Sequence, residues 1–315
     1  MLAPGGKIPS KTLMNGWIDF GLVRDFAAEK TDAYRLCTRG DGWVERYGAD
    51  ALISYKTEAA RKTLAGELSE WSLLAQQTFE RVFARFLPKQ NSDRHAPQLL
   101  AGDPSAPATR TVLEREVCYG LDFSAGYSAG LFLDQRENRQ FVRRAAPRSL
   151  LNCFAYTCSF SVVAALGGGA TLSIDLSRKS LERGRENIML NRLATDQHRF
   201  LVDDVLRVLP RLARKGEKFD CIILDPPTFS RSRTGKSWQV ERDFEKLLLI
   251  ALEVAERNAK ILLSTNCTRL NERALEVMAR FCLKATRRAG SFQAPLPLPD
   301  FPRGEGASSL WLLLR

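Results

Sequence analysis

Apolar and polar positions divide the chain into three parts with different patterns. Residues 1–30 show little periodicity, which predicts a loose arm with some order around Trp17 to Phe26. Residues 31–125 contain short alternating runs, which predict a small α+β domain. In residues 126–315, apolar runs alternate with segments of helical periodicity, which predicts a larger second domain.

The small domain is predicted to open with an antiparallel meander and to continue with a helix. The helix is placed at 68–86, because apolar side chains from Trp71 to Phe86 recur at helical spacing. The segment 88–107 is rich in Pro, Ser, Asp and Ala, which predicts an exposed loop. The predicted strands are 34–37, 43–47, 51–55, 111–118 and 119–123.

From residue 149 onwards, predicted strands and helices alternate. Such alternation predicts an α/β fold: a doubly wound sheet with crossover helices on both faces. The predicted strands are 149–154, 171–174, 199–202, 221–224, 260–265, 291–294 and 308–314. The predicted helices are 160–166, 177–191, 205–215, 238–257 and 271–289.

The run Cys-Ile-Ile-Leu at 221–224 reads as a strand buried on both faces, and it stops abruptly. Asp225 is followed by Pro226 and Pro227, which fix two φ angles and remove two N–H donors. Open α/β sheets bind ligands at the carboxyl ends of their strands. This turn is therefore a candidate for a rigid wall of a ligand site.

Acidic residues end three successive strands of the predicted sheet: Asp175, the pair Asp203 and Asp204, and Asp225. An acid about 20 residues past the first strand accepts hydrogen bonds from ribose hydroxyls in nucleotide-binding folds. The first βα turn, 153–160, contains no glycine, which argues against a pyrophosphate and so against NAD or FAD. A nucleoside that carries an amino acid, such as S-adenosylmethionine, remains compatible with this turn.

Composition narrows the class of partner. The 315 residues carry a formal net charge of +11, which favours a polyanion, nucleic acid first. Seven cysteines without a Cys-x-x-Cys pair, and two histidines, predict scattered thiols in a reducing cytoplasm and no metal site. We also expect no membrane association and no export, since apolar runs of spanning length and a signal-peptide core are absent from the sequence.

Five motifs together resemble the S-adenosylmethionine-dependent 23S ribosomal RNA methyltransferases of the RlmI and RlmK type. They are Phe-Leu-Asp-Gln-Arg at 132–136, Asn-Cys-Phe-Ala-Tyr-Thr at 152–157, Asp175, Asp204, and Asp-Pro-Pro-Thr-Phe-Ser at 225–230. The resemblance covers roughly residues 125–315 and extends more weakly to the small domain. It implies a class I methyltransferase sheet, which is Rossmann-like, and S-adenosylmethionine as cofactor.

The resemblance also implies roles for individual residues. Asp175 would hold the ribose and Asp204 the adenine amine. The methionine end would be surrounded by Gln135, Arg136 and the turn that contains Phe154, Tyr156 and Thr157. Asp225 would lie beside the sulfonium and the target base, with Pro226 and Pro227 fixing the turn and Phe229 stacking on an unstacked base.

Three departures from the family pattern affect these expectations. Cys158 stands where the family usually has glycine, which is expected to narrow the methionine pocket. Residues 1–30 are too few for a PUA domain, so RNA recognition falls to residues 31–125 and the basic loop at 231–236. Phe229 comes two residues after Pro227, whereas in amino-methylating enzymes the aromatic residue comes directly after the prolines. This difference weakens the prediction that an exocyclic amine is methylated.

Two target atoms remain open. Guanine N7 has a free lone pair and needs no covalent catalyst, whereas cytosine C5 becomes nucleophilic only after a thiolate adds at C6. Cys267 aligns with the cysteine of the RlmI-type Ser-Cys-Ser motif and is the candidate thiol. Its alternative is an inert buried residue.

The sequence therefore favours an RNA base methyltransferase that acts on 23S ribosomal RNA in the cytoplasm. One alternative is a methyltransferase for a small molecule or a protein. Another is an RNA-binding protein with a degenerate cofactor site, which the cysteine at 158 suggests. The oligomeric state is left open.

Overall fold

The computed structural model describes residues 14–88, 93–231 and 237–315, without the side chains of Ser230, Arg231 and Ser237. The amino-terminal elements are two helices and seven strands. The helices are α1 (Phe20–Ala28) and α2 (Glu58–Ala75). The strands are β1 (Ala33–Arg39), β2 (Gly42–Tyr47), β3 (Asp50–Tyr55), β4 (Arg81–Phe86), β5 (Gln98–Ala101), β6 (Thr109–Glu114) and β7 (Val117–Asp122).

Five of these strands form the small sheet, in the order β1-β2-β3-β4-β5, and β6 pairs with β7 as a separate hairpin. The predicted meander is confirmed by the antiparallel pairs β1–β2 and β2–β3. The predicted helix over 68–86 is wrong in extent. Helix α2 ends at Gln76, which adopts a left-handed φ of 53°, and β4 then runs parallel to β3. The predicted loop over 88–107 contains the short edge strand β5.

The second half begins with a short 3-10 turn over Leu133–Gln135. Its helices are α3 (Arg136–Ala145), α4 (Ser159–Leu166), α5 (Arg178–Leu190), α6 (Val205–Arg214), α7 (Val240–Val254) and α8 (Glu272–Ala285). Its strands are β8 (Ser149–Cys153), β9 (Ala170–Asp175), β10 (His198–Val202), β11 (Phe219–Leu224), β12 (Phe229–Arg231), β13 (Ser237–Gln239), β14 (Ala255–Thr265), β15 (Gly290–Gln293) and β16 (Ser308–Leu314).

Seven of these strands form the large sheet, in the order β10-β9-β8-β11-β14-β16-β15. The first five are parallel, and β16 runs antiparallel to both of its neighbours. The predicted doubly wound, Rossmann-like sheet is thus present. The predicted helix over 238–257 is too long at both ends, because Trp238 lies in the β12–β13 hairpin and β14 already begins at Ala255.

The centre of the large sheet is buried as the apolar run in β11 predicted. Ile222, Ile223 and Leu224 are each inaccessible to solvent, as are Leu262 and Leu263 on the neighbouring β14. Burying such side chains stabilises a fold by about 1.5–3 kcal/mol each. The strand ends, where the chain leaves this core, are therefore fixed in position.

The two sheets share apolar packing. One cluster of buried side chains contains Leu52 and Phe83 from the small sheet together with Leu150 and Trp311 from the large one. A second cluster brings Phe26 of α1 against the small sheet, so the predicted arm contributes described core residues. Our division at residues 30 and 125 stays a prediction. Within the described residues, no helix combines the length and apolar character needed to cross a membrane.

Candidate active site

The three predicted strand-end acids lie along one edge of the large sheet. Parallel pairing aligns β10 with β9, β9 with β8, and β8 with β11, so their carboxyl ends are level. Asp175 is the last residue of β9, Asp204 lies two residues past β10 and caps α6, and Asp225 directly follows β11. The turn after β8 therefore lies between Asp175 and Asp225.

Asp175 is held by backbone donors on both sides. Its Oδ2 accepts from the N–H of Tyr156 at 2.9 Å, and its Oδ1 accepts from the N–H of Ser177 at 2.8 Å. Burial raises the pKa of Asp175, while these backbone hydrogen bonds oppose the shift. A carboxylate offers about four acceptor sites, so further hydrogen bonds from ribose hydroxyls fit here.

Asp203 and Asp204, just before α6, have different partners: one forms ion pairs and the other caps the helix. Asp204 caps the helix, with Oδ1 accepting from the N–H of Leu206 at 2.9 Å. Asp203 forms ion pairs with Arg207 and Arg211, which lower its pKa together with its other hydrogen bonds despite partial burial. Of the two, Asp204 is thus the better candidate for a ligand contact.

The turn after β8 contains no glycine, yet three of its residues adopt left-handed backbone angles. Phe154, Tyr156 and Cys158 have φ values of 58°, 48° and 60°. Such conformations cost of order 1–3 kcal/mol each for non-glycine residues and cluster at functional sites. The Tyr156 hydroxyl donates to Ser128 O at 2.7 Å and Thr157 Oγ1 donates to Gly130 O, so the turn is tied to the segment before the 3-10 turn.

Cys158 lies in the interior of the protein, between the turn after β8 and helix α5. Its side chain is inaccessible to solvent and packs with Ala155 and Leu181. A Cβ added to Gly184 of α5 would overlap its Sγ. The absence of a side chain at Gly184 thus accommodates the cysteine. This packing argues against the expectation that Cys158 narrows the methionine pocket, and it removes the reason for a degenerate cofactor site.

Gln135 and Arg136 occupy buried positions with different consequences. Gln135 donates through Nε2 to Ser264 Oγ at 2.8 Å and accepts from Asn138 at 2.7 Å. Arg136 forms a bidentate pair with Asp300, at 2.9 Å for each bond. Since its guanidinium is committed to that buried pair, the structure argues against Arg136 as a methionine ligand, whereas Gln135 adjoins the site through Ser264.

Asp225 lies at the carboxyl end of β11, next to the turn after β8. Its pKa is raised to about 6, chiefly by burial and also by the charge of Asp134, while Ser264 and Arg139 oppose the shift. Trp238 fixes the adjoining turn, because its Nε1 donates to Pro227 O at 2.9 Å and its ring lies 5.8 Å from that of Phe154.

The sequence reasoning assigned no role to Asp134, Ser264 or Trp238. Asp134 belongs to the Phe-Leu-Asp-Gln-Arg motif at 132–136, so the motif could have identified it as a site residue. Ser264 and Trp238 gave no such signal, because their partners Gln135 and Pro227 are brought to them by sheet pairing and by the β12–β13 hairpin.

The remaining predicted residues lie on neighbouring elements. Phe229 begins β12 and is 41% exposed, whereas Pro226 before it is buried. Cys267 lies just past β14 and is 5% exposed, and its Sγ donates to Glu241 Oε1 at 3.3 Å. Arg233 and Lys236 of the predicted basic loop, and the side chain of Arg231, lie outside the described residues.

These groups fit a sulfonium nucleoside. Asp175 and Asp204 have carboxylate oxygens that can accept from hydroxyls and an amine, and Asp225 offers an acid beside the glycine-free turn. A carboxylate close to a positive charge is favoured in its ionised form. The edge can therefore hold a cationic sulfur near Asp225.

Comparisons with known proteins give separate evidence of relatedness. A family profile described as S-adenosylmethionine-dependent methyltransferase matches residues 56–307. Ribosomal RNA large subunit methyltransferase I of Aeromonas salmonicida is 34% identical over 91% of this chain and 77% of its own length. The protein of that name from Escherichia coli O139:H28 is 28% identical over 78% of this chain and 64% of its own length.

Among solved structures, SMU.776 complexed with SAH superimposes with a TM-score of 0.81 at 25% identity. The match covers 94% of this chain and 78% of that one.

Proposed function

The chain belongs to the S-adenosylmethionine-dependent methyltransferase family, and from this premise we propose that it methylates a base of 23S ribosomal RNA. The strongest support is the 34% identity, over nearly the whole chain, to a relative named for large-subunit ribosomal RNA. The net charge of +11 adds independent support, because a basic protein is attracted to a polyanion.

The cofactor, when bound, supplies a methyl group on a positively charged sulfur. Asp175 holds the ribose, Asp204 receives the adenine amine, and Gln135 and the Phe154–Thr157 turn enclose the amino-acid end. Asp225, in its ionised form, stabilises the positive sulfur before the transfer. An in-line displacement at the methyl group needs no covalent intermediate with the protein. Positioning by these residues therefore provides most of the acceleration of methyl transfer.

The first test concerns cofactor binding. We expect Asp175→Asn to weaken S-adenosylmethionine binding about 10–100-fold, because hydrogen bonds to a charged group contribute about 1.5–3 kcal/mol. Isothermal titration calorimetry measures the affinity. The matched control is Asp203→Asn, whose carboxylate is already paired with Arg211. Equal affinities for the wild type and Asp175→Asn would contradict the assigned role.

The second test concerns the substrate. Purified protein is incubated with radiolabelled cofactor and unmodified 23S ribosomal RNA, and the labelled nucleotide is mapped. We expect label at a single base, whose identity shows whether guanine N7 or cytosine C5 is methylated. Label in metabolite or protein fractions, and none in ribosomal RNA, would favour the small-molecule or protein alternative instead.

The cytosine C5 route would use Cys267. In this route the thiolate adds to C6, C5 takes the methyl group, and loss of the C5 proton then expels the thiolate. Glu241, 3.3 Å from the sulfur, is placed to accept the thiol proton. The guanine N7 route uses no thiol, so Cys267 would then be a packing residue.

RNA that contains 5-fluorocytosine separates the two routes, because the fluorine cannot leave as a cation and the covalent adduct persists. For C5 methylation we expect a stable adduct that disappears in Cys267→Ala and persists in the control Cys282→Ala, a buried cysteine on α8. Undiminished methylation by Cys267→Ala would exclude the thiolate route.

A further inference from the structure

A cavity of about 320 Å³ lies between the small sheet and the carboxyl edge of the large one. We call it the inter-sheet cavity, and its lining includes Arg35, Glu45, Tyr127, Phe132, Asp134 and Asn266. Small-molecule sites occupy about 300–1,000 Å³, so this volume suits one base or nucleoside.

The inter-sheet cavity adjoins the cofactor edge through two links. Phe132 lies with its ring centre 5.4 Å from that of Tyr156, in the left-handed turn after β8. Asp134 directly precedes Gln135, whose side chain donates to Ser264 at the cofactor edge, and the charge of Asp134 contributes to the raised pKa of Asp225. A ligand in this cavity would therefore lie next to the acid that faces the sulfonium.

The wall of the cavity on the side of the small sheet contains a buried group of charged side chains. Glu45 Oε1 accepts from Arg35 Nη2 at 3.1 Å, and Glu45 Oε2 forms an ion pair with Arg85 Nη2 at 3.6 Å. Glu45 and Arg35 are more than nine-tenths buried, and all three side chains line the cavity. This wall is therefore polar and fixed in position by its own ion pairs.

Aromatic surface is available next to these polar groups. Phe132 is 45% exposed although it is large and apolar, and it lines the cavity. The Arg35 guanidinium lies over the rings of Trp43 and Phe301, at 4.9 and 4.1 Å from their centres. Unstacked bases are bound by such combinations of aromatic rings, guanidinium groups and edge hydrogen bonds.

Resting on the proposed function, we propose that the inter-sheet cavity binds the unstacked target base of the RNA. Phe132 stacks on the face of the base, and Asp134 binds its hydrogen-bonding edge. The small sheet contributes the opposite wall of the pocket through Arg35 and Glu45.

Phe132 is tested against a matched control. Base stacking contributes about 1–3 kcal/mol, so we expect Phe132→Ala to lower kcat/KM for unmodified 23S ribosomal RNA by about tenfold or more. Its dissociation constant for S-adenosylmethionine should stay within about twofold of wild type. Phe132→Tyr should retain activity, and Phe281→Ala, which removes an exposed ring on α8, should act as wild type.

Asp134→Asn keeps the shape of the side chain and tests the edge contact. We expect methyl transfer to fall while cofactor affinity is retained. Wild-type kcat/KM in both Phe132→Ala and Asp134→Asn would overturn this inference alone. A loss of cofactor binding in both variants would also overturn it, since these residues would then act on the cofactor. A wild-type protein that methylates no ribosomal RNA would instead refute the proposed function.

Discussion

At the scale of single residues, the site combines acids whose surroundings set their charge in different ways. Asp203 is paired with arginines, which lowers its pKa, whereas burial raises the pKa of Asp175. Asp225 is the extreme case, with a pKa of about 6. A half-buried acid that ionises near neutrality responds strongly to a cation placed beside it.

This difference predicts a pH-dependent preference between cofactor and product. S-adenosylmethionine is cationic at sulfur and favours ionised Asp225, whereas SAH is uncharged there. As pH falls below about 6, Asp225 takes up a proton, so affinity for S-adenosylmethionine should fall by up to about tenfold per pH unit. Affinity for SAH should change less, and titration calorimetry with both ligands from pH 5 to about 8 measures the difference.

Asp225→Asn is the control for this prediction, because it cannot ionise. We expect its preference between the two ligands to be independent of pH. The neighbouring charges, Asp134 and Arg139, are unchanged in this variant. A pH dependence that persists in Asp225→Asn would assign the effect to Asp134 instead.

The positions of these residues could be predicted from the sequence only where neighbouring residues determine them. Asp175 and Asp225 end apolar runs, so their place at a sheet edge was readable from a few neighbours. The pairing of Arg136, which argues against its predicted contact with methionine, was not readable from the sequence because its partner, Asp300, lies 164 residues away. The direction of Cys158 depends on a left-handed φ of 60°, which no neighbouring residue type indicates.

At the scale of elements, the regular sheet was predictable and the boundaries beside it were not. Apolar stretches bounded by polar turns identified the strands of the large sheet. Helix α2 and strand β4 merged into one predicted helix, because apolar residues from Trp71 to Phe86 continue at helical spacing across the turn at Gln76. The parallel partner that makes β4 a strand is β3, which a local pattern does not reveal.

The packing between α4 and α5 gives a stability prediction. Gly184→Ala places a methyl group against Cys158 Sγ, and overpacking typically costs about 1–3 kcal/mol. Adding Cys158→Gly removes the overlap and also relieves the left-handed backbone angle. We therefore expect the double variant to be more stable than Gly184→Ala alone.

Urea denaturation of the wild type, both single variants and the double variant forms a double-mutant cycle. Residues in contact typically show coupling of about 0.5–3 kcal/mol. Additive changes would mean that the two positions do not share the space that the structure assigns to them.

At the scale of the whole molecule, the two sheets are joined by apolar packing and by buried ion pairs. Asp300, in the segment between β15 and β16, pairs with Arg136 and also accepts from the backbone N–H of Arg35 on β1. Arg139 pairs with Glu114 on β6, and both side chains are buried. These contacts hold the inter-sheet cavity between two surfaces that otherwise belong to different predicted domains.

We expect Asp300→Asn to destabilise the protein by about 3–5 kcal/mol, because it removes the bidentate partner of the buried Arg136 charge, which keeps only a 3.8 Å pair with Glu114. The paired replacement Arg136→Met with Asp300→Asn should be less destabilising than Asp300→Asn alone, since no unpaired charge remains. The free energy of unfolding in urea measures both. Equal stability of Asp300→Asn and wild type would show that the pair contributes little.

The Asp300 contact also bears on how the protein is made. The backbone N–H of Arg35 donates to the carboxylate of Asp300, which is synthesised 265 residues after Arg35. Phe301, Glu305 and Gly306, which complete the wall of the inter-sheet cavity, emerge in the same late segment. A nascent chain can therefore form its first strands early, but the wall of the pocket is complete only after residues 301–306 have been synthesised.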